Sequence, residues 1–319
     1  MKTLKKLVLF LIITISINSC VQKNDQIRIG IIQYANHPIL DSVYSGISAK
    51  FKQYGDKYKI DYQVAHGDPN LNTSICKQMV KDSERLIIAL GTPSAQAVAN
   101  ETKSIPIVFT AITDPVGAKL AKTFEKPEGN KTGFTDNSPR LFKKQIGLIK
   151  LIKPNLKKVG IITNLSESNC EVGMIDVRQA LEELKIPYEE INASNATEIA
   201  TSVIALSNNC DVFFISPSNV VYDNLGALKK EAQKKGIMII GGDETAVLKY
   251  GSIATYTFDF INMGKKTAEM AINILDNNLK PGDIPISRPA ETFLCVNIET
   301  ATKLGLIIPN ELIIKAKRK

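Results

Sequence analysis

A chain of 319 residues with a formal net charge of +8 is too long for one typical hydrophobic core and points to two lobes. Its 44% hydrophobic and 23% charged content is that of an ordinary soluble globular protein. The excess positive charge is scattered over lysine-rich helix faces such as Lys229, Lys230, Lys234 and Lys235, and no basic stripe with interleaved aromatics marks a nucleic-acid surface, so no nucleic-acid partner is expected.

In chain order, Lys2, Lys5 and Lys6 precede an apolar run from Leu7 to Ile13, the pattern of a signal peptide over residues 1–19, too short to span a bilayer. Ile17-Asn18-Ser19-Cys20 has the shape of a bacterial lipobox, with Cys20 as the acylated residue; an ordinary secretory signal with an incidental cysteine is the competing reading. Each buried methylene of such an anchor contributes about 0.8 kcal/mol. Loss of residues 1–19 removes three lysines and no acids, which leaves a charge of +5 on an exported protein held to the cell envelope on its periplasmic side.

From Ile27 onward, short β-branched runs alternate with amphipathic segments, which predicts βαβ units and parallel sheets. The first series of strands is Ile27–Gln33, Ile60–Val64, Leu86–Leu90 and Ile107–Thr110. After Asn130–Gly133 and a helix start at Pro139, a second series follows at Val159–Thr163, Tyr188–Ile191, Val212–Ile215 and Met238–Ile240. A further run, Ser252–Phe258, leads into a helix over Phe260–Leu275 and a last strand near Phe293–Val296. Nearly every strand empties into short polar residues, and the ligand of an open α/β sheet sits at such strand exits.

Cys76, Cys170, Cys210 and Cys295 are isolated, and their pairing is not readable from spacing. His37 and His66 are the only histidines and stand in no metal-ligand spacing, so neither a metal nor a cofactor is expected. No Gly-x-Ser-x-Gly elbow, phosphate-binding Gly-Lys-Ser/Thr loop or zinc-binding histidine pair is present, and no catalytic residue is assigned.

Ile29–Pro38, Gly91–Asn100, Ile105–Gly117, Val159–Asn164, Gly251–Thr255, Asp259 with the helix bearing Gly264, and Val296–Leu306 occur in order along the chain. Together they resemble the ABC-transporter substrate-binding lipoproteins that include tryptophan- and other aromatic amino-acid-binding members. One segment departs: relatives often carry Pro-Thr-Asp-Asn where this chain has Ser216-Pro217-Ser218-Asn219. The resemblance implies an α/β, two-lobed type I periplasmic-binding fold, its parallel sheets covered by helices on both faces. The first lobe is expected over 27–134 plus 258–281, and the second over 135–257 plus 282–319.

An amino acid needs an anion cradle facing an acidic group. Thr92, Ser94 and Ala95 open a helix whose first amides and dipole favour negative charge; Thr92 or Ser94 equally serves as a helix cap. Thr110 and Thr113 offer further hydroxyls. Asp259, matching an acidic position of the family, and Asp243 after it, are the candidates for the ammonium partner, with capping as the competing role. Tyr34, Phe109 and Tyr256 lie at strand ends as candidate aromatic walls, with a place in the core as the competing role, and Asn164, Ser218 and Asn219 face them from the second lobe.

The leading function is a solute-binding lipoprotein of an ABC importer, closing on a small molecule, an amino acid, without transforming it. Its partners are then an ABC permease, its ATPase and the membrane reached through the anchor. A ligand-sensing partner of a membrane signalling protein uses the same fold and cleft, and an enzyme is the remaining alternative.

Overall fold

Aliphatic and β-branched runs buried on both faces form the strands of two separate sheets, described here by a computed structural model over residues 26–82, 84–136, 141–289 and 291–316. The expected signal peptide 1–19, the acylation site Cys20 and the helix start at Pro139 lie outside the described residues.

The first sheet is parallel throughout, in the order β2-β1-β3-β4-β5, with β1 at Ile27–Gln33, β2 at Tyr58–Val64, β3 at Leu86–Leu90, β4 at Ile107–Ile112 and β5 at Lys131–Thr135. On one face lie α1 (Pro38–Phe51) and, from far along the chain, α10 (Phe260–Asn277). Their residues Val43, Ile47, Ala268 and Ala271 share a core with Ile29, Ile31, Leu86 and Ile88. On the other face, Cys76 and Met79 of α2 (Pro69–Lys81) and Ala95 and Val98 of α3 (Thr92–Glu101) pack on Ile32, Ile87, Ile107 and Phe109.

The second sheet has the order β11-β10-β9-β8-β6-β7, and only β11 runs antiparallel, against β10. Its strands are β6 (Val159–Thr163), β7 (Tyr188–Asn192), β8 (Val212–Ile215), β9 (Met238–Gly241), β10 (Ser252–Thr257) and β11 (Phe293–Val296). One face carries α4 (Leu141–Ile152), α5 (Ser168–Glu183), α11 (Ile298–Lys303) and α12 (Asn310–Lys315). The other carries α6 (Ala196–Leu206), α7 (Asn219–Asp223), α8 (Leu225–Lys235) and α9 (Glu244–Lys249).

The sequence reading hands the chain to the second lobe at residue 282, yet contacts with the first sheet run on to Ser287. Ile286 donates its amide to the Phe124 carbonyl (2.7 Å) and Ser287 to that of Gly133 (2.9 Å). The reading also treats Asn130–Gly133 as a connection, whereas Lys131–Thr135 is the edge strand β5. Glycine is needed at 133, because a Cβ there would fall 1.9 Å from the carbonyl oxygen of Phe109 on β4.

Both sheets reverse their winding beside their first strand, between β1 and β3 and between β6 and β8. A doubly wound sheet presents its ligand crevice at the carboxyl ends of the strands flanking that reversal.

Candidate ligand-binding site

The crevices of the two sheets meet in one cavity of about 960 Å³, its open mouth included. The first lobe lines it at successive strand exits: His37 and Ile39 after β1, Gly91 and Thr92 after β3, Thr113 after β4 and Asp136 after β5. The second lobe answers with Asn169 and Gly173 of α5, Pro217 and Asn219 after β8, Gly242 after β9, and Tyr256 and Thr257 where β10 ends, with Phe258 following as the chain returns to the first-lobe core. Phe142 and Gln145 of α4 and Phe260 of α10 complete an apolar, largely aromatic wall.

One ring pair ties the lobes together across this space. The His37 imidazole stacks on the Tyr222 ring, with centroids 4.0 Å apart and planes 16° from parallel. His37 also caps α1, its Nδ1 accepting the Ile39 amide at 3.2 Å, and burial holds its pKa down at about 3, so the ring is neutral near neutral pH. Burial drives the Tyr222 phenol well above its usual range, with the carboxylates of Asp243 and Asp136 adding to the effect.

Asp136 stands where the chain leaves β5 for the second lobe. Burial pushes its carboxyl up to about 6, against hydrogen bonds from Thr113 and its own backbone that favour the ion. Ala111, beside it on the cavity wall, holds a left-handed φ of +54° where the β4–β5 register shifts between Phe109 and Ile112. Such backbone is costly for a residue with a Cβ and is kept only where the surroundings enforce it.

Gln145 projects from α4 into the cavity wall and is only 4% exposed. Its Nε2 donates to the Gly242 carbonyl (3.3 Å), the Thr255 hydroxyl (3.0 Å) and the Tyr256 carbonyl (2.8 Å).

The residues expected from sequence are placed unevenly. Thr92, Thr113, Asn219 and Tyr256 meet at the cavity. Tyr34 and Asn164 line a neighbouring groove between the lobes, and the Tyr34 hydroxyl is spent on the Gly67 carbonyl at 3.0 Å. Asp243 and Asp259 flank a third groove and cap α9 and α10, accepting the amides of Ala246 and Asn262, each at 2.9 Å. Ser94, Thr110 and Ala95 are fully buried, and none of these three cavities brings them together with Asp259. Ser94 donates to Asn72 at 2.7 Å, Thr110 accepts from Thr267 at 3.1 Å, and the Ala95 amide bonds the Gly91 carbonyl at 3.1 Å.

Ser218 caps α7, its Oγ accepting the Val221 amide at 3.4 Å, and it belongs with Asn164 and Asn219 to a cluster organised by Glu167. The Glu167 carboxylate accepts the side-chain amides of Asn164 (3.0 Å) and Asn219 (2.8 Å), the Ser218 hydroxyl (3.4 Å), and the backbone amides of Asn219 (2.6 Å) and Val220 (3.2 Å).

Two doubly wound lobes with an aromatic-walled cavity between them have the architecture of a two-lobed solute receptor. The chain belongs to the ABC transporter substrate binding protein family, whose signature matches residues 28–319. It is 34% identical over 293 residues to a tyrosine-binding protein of Clostridioides difficile strain R20291, covering 91% of this chain and 84% of that one. Among solved structures it is similar to an ABC domain in complex with L-Trp from Streptococcus pneumonia, at TM-score 0.85 and 30% identity over 91% of this chain and 98% of that one. The ligand-free, open structure of a substrate-binding protein with adhesive properties from Clostridium difficile gives TM-score 0.64 at 32% identity, over 88% of this chain and 96% of that one. At nearly equal identity, the L-Trp complex superposes far better than the open protein. The His37–Tyr222 stack joins residues of the two lobes across the cavity.

Among the described residues no helix is long and apolar enough to cross a membrane and no cluster of metal-ligating side chains occurs. Cys76, Cys170 and Cys210 are buried core thiols.

Proposed function

We propose that this protein is the solute-binding lipoprotein of an ABC importer, and that its cavity closes over an amino acid with a flat, aromatic side chain. The observation that carries the reading is the cavity itself. It is built from strand exits of both lobes and walled by Phe142, Tyr256, Phe258 and Phe260, with Thr92 presenting a hydroxyl at the start of α3. Aromatic walls reward a planar apolar group, and a helix start favours a carboxylate. The L-Trp complex and the tyrosine-binding relative support the same ligand class.

Binding draws the lobes together by population shift, because only the closed arrangement makes contacts from both sides. The bodies that move are residues 27–134 with 258–281, and 135–257 with the C-terminal part, the stretch 282–287 riding on the first. The ligand is released unchanged to a permease and its ATPase, and Cys20 tethers the exported receptor to the envelope.

Isothermal titration of the mature chain with the twenty amino acids tests this. Binding of aromatic members at low micromolar or tighter affinity, with the ligand recovered intact, is the expected result. Binding confined to a sugar or a nucleoside, or turnover of the ligand, would sink it.

A further inference from the structure

Gly173 lies inside α5, where glycine is a far poorer helix former than alanine. Its φ is not left-handed, so the backbone itself does not call for glycine there. A close approach does. A Cβ at 173 would stand 2.5 Å from Cγ of Pro217, in the loop after β8, and 3.4 Å from Cε2 of Phe142 on α4.

All three residues line the cavity between the lobes. Gly173 belongs there to a helical stripe, Asn169, Val172, Gly173 and Asp176, whose spacing of i, i+3, i+4 and i+7 turns one face of α5 into a cavity wall. Asn169, one turn earlier, holds the loop against that wall, its Nδ2 donating to the Pro217 carbonyl at 2.7 Å. Ser216 donates to the Ile162 carbonyl at 2.6 Å, and Glu167 accepts the amides of Asn219 and Val220. The loop is thus pinned on both sides of Pro217, whose ring is closed on its own backbone nitrogen and has no rotamer that swings it clear. A side chain at 173 would meet a wall that yields only by moving backbone, and the volume it takes comes out of this corner of the cavity.

We propose that Gly173 sets the largest ring the cavity accepts. With no Cβ at 173, Pro217 and the edge of Phe142 settle against α5 and leave room for a bicyclic indole, whereas a methyl group at this corner confines the site to a single ring. The inference rests on the aromatic amino-acid reading of the cavity. A hydrophobic pocket discriminates a single methylene by about 10–200-fold, which sets the scale of the effect.

The test is calorimetric titration of the mature chain with L-tryptophan, L-tyrosine and L-phenylalanine, repeated on Gly173→Ala, Pro217→Ala and the double variant. In Gly173→Ala, L-tryptophan is expected to lose about 30-fold and L-phenylalanine less than about threefold. Pro217→Ala removes the Cγ that the new methyl group would strike and leaves the Cβ of residue 217 at 3.3 Å, so the double variant is expected to bind L-tryptophan within about fivefold of the unaltered protein. A role in packing alone would weaken all the ligands alike, so the ratio of affinities carries the result. Equal losses for L-tryptophan and L-phenylalanine in Gly173→Ala, or a double variant that binds L-tryptophan no better than the single one, overturns the assignment and leaves the receptor reading standing. An unaltered protein that binds L-phenylalanine or L-tyrosine but rejects L-tryptophan overturns it as well. Should Gly173→Ala fail to fold, Pro217→Ala decides: its enlarged corner is expected to raise the affinity of 5-methyl- or 6-methyl-L-tryptophan relative to L-tryptophan by about tenfold, and no rise for either overturns the assignment. No binding of any of the three amino acids by the unaltered protein overturns it together with the aromatic amino-acid reading.

Discussion

The imidazole of His37 lies flat against the phenol ring of Tyr222, 4.0 Å between centroids, and the two rings belong to opposite lobes. His37 is fixed by capping α1 at the exit of β1, and Tyr222 by packing in the core under α7. The stack therefore exists only while the cleft is shut, and its interaction energy counts entirely toward closure.

Removing one ring should open the protein without unfolding it. Stacked ring pairs contribute about 0.5–1.5 kcal/mol beyond area burial. The Tyr222→Leu variant is expected to bind ligand about fivefold more weakly, with the change carried by faster dissociation. Small-angle scattering of the ligand-free variant should show a larger radius of gyration than the unaltered protein. Equal radii together with equal dissociation rates would remove the stack from the closing mechanism.

Acidity acts on closure through two groups with opposite signs. Burial raises the Asp136 carboxyl to about 6 and lowers the His37 imidazole to about 3. Opening that returns water to them lets Asp136 release a proton and His37 take one up, so Asp136 disfavours empty closure above pH 6 and His37 disfavours it as pH falls below its ordinary value. Tyr222 and Asp176 also line the cavity, and Asp243 acts on Tyr222 from the adjoining groove; Tyr222 stays neutral, and Asp243 is raised mainly by burial. Acidification from pH 7 to pH 5 should therefore increase the closed fraction of the ligand-free His37→Asn variant and decrease that of Asp136→Asn, with the unaltered protein changing less than either. Fluorescence energy transfer between dyes on the two lobes reads all three, and parallel behaviour of the two variants would refute the assignment.

Much of this was legible because the chemistry repeats. Buried aliphatic runs such as Leu86–Leu90 and Val212–Ile215 announce parallel strands, and polar residues after several of them fall at the cavity, as with Thr92, Thr113 and Asn219, while Tyr34 after β1 and Asn164 after β6 fall at the neighbouring groove. The β5 strand escaped because Lys131-Thr-Gly-Phe-Thr135 lacks an aliphatic run and carries a glycine demanded by its neighbour's carbonyl. Asp243 and Asp259 drew attention as carboxylates at strand exits, but each spends an oxygen on a helix amide, and sequence alone weighs the two uses equally.

Gln145 left a fainter trace. It occupies one position of the stripe 145, 148, 149 and 152 that α4 buries, so a polar residue stands where the 3.6 period asks for an apolar one. Such a break is a signal for a buried hydrogen-bonding group, but its partners at Gly242, Thr255 and Tyr256 lie about a hundred residues away and only the fold assembles them. His37 and Tyr222 carried no shared pattern at all, since their relationship exists only between lobes.

Glu167 is expected to govern the second lobe's side of the cleft from a distance. Its carboxylate collects five donors and is only 8% exposed. Replacing one oxygen with an amide group in Glu167→Gln turns an acceptor into a donor facing donors, which should cost about 2–3 kcal/mol in unfolding free energy. Asn219, which it positions, lines the cavity, so ligand affinity should also fall by about tenfold, the equivalent of one misplaced hydrogen bond. Urea unfolding and titration on the same sample separate the two effects. A stability loss with unchanged affinity would confine Glu167 to a structural role.

The first lobe depends on a close crossing between helices far apart in sequence. A Cβ on Gly264 of α10 would lie 1.9 Å from the Val43 carbonyl oxygen on α1, and one on Gly46 would lie 2.0 Å from that of Ile261. The obstacle in each case is backbone, so no rotamer change relieves it and the helices must separate. Both helices share the core that covers Ile29, Ile31, Leu86 and Ile88, and α10 returns directly from β10, where Tyr256 and Phe258 line the cavity. The Gly264→Ala variant should lose about 3 kcal/mol of stability, the upper end for overpacking, even though alanine is the better helix former. Affinity should fall as well, because a displaced α10 carries Phe260 away from the ligand wall. An exposed control on the opposite face of the same helix, Lys266→Ala, should leave both quantities within experimental error. Equal melting of the Gly264→Ala variant and the unaltered protein would mean that the helices do not meet at this crossing.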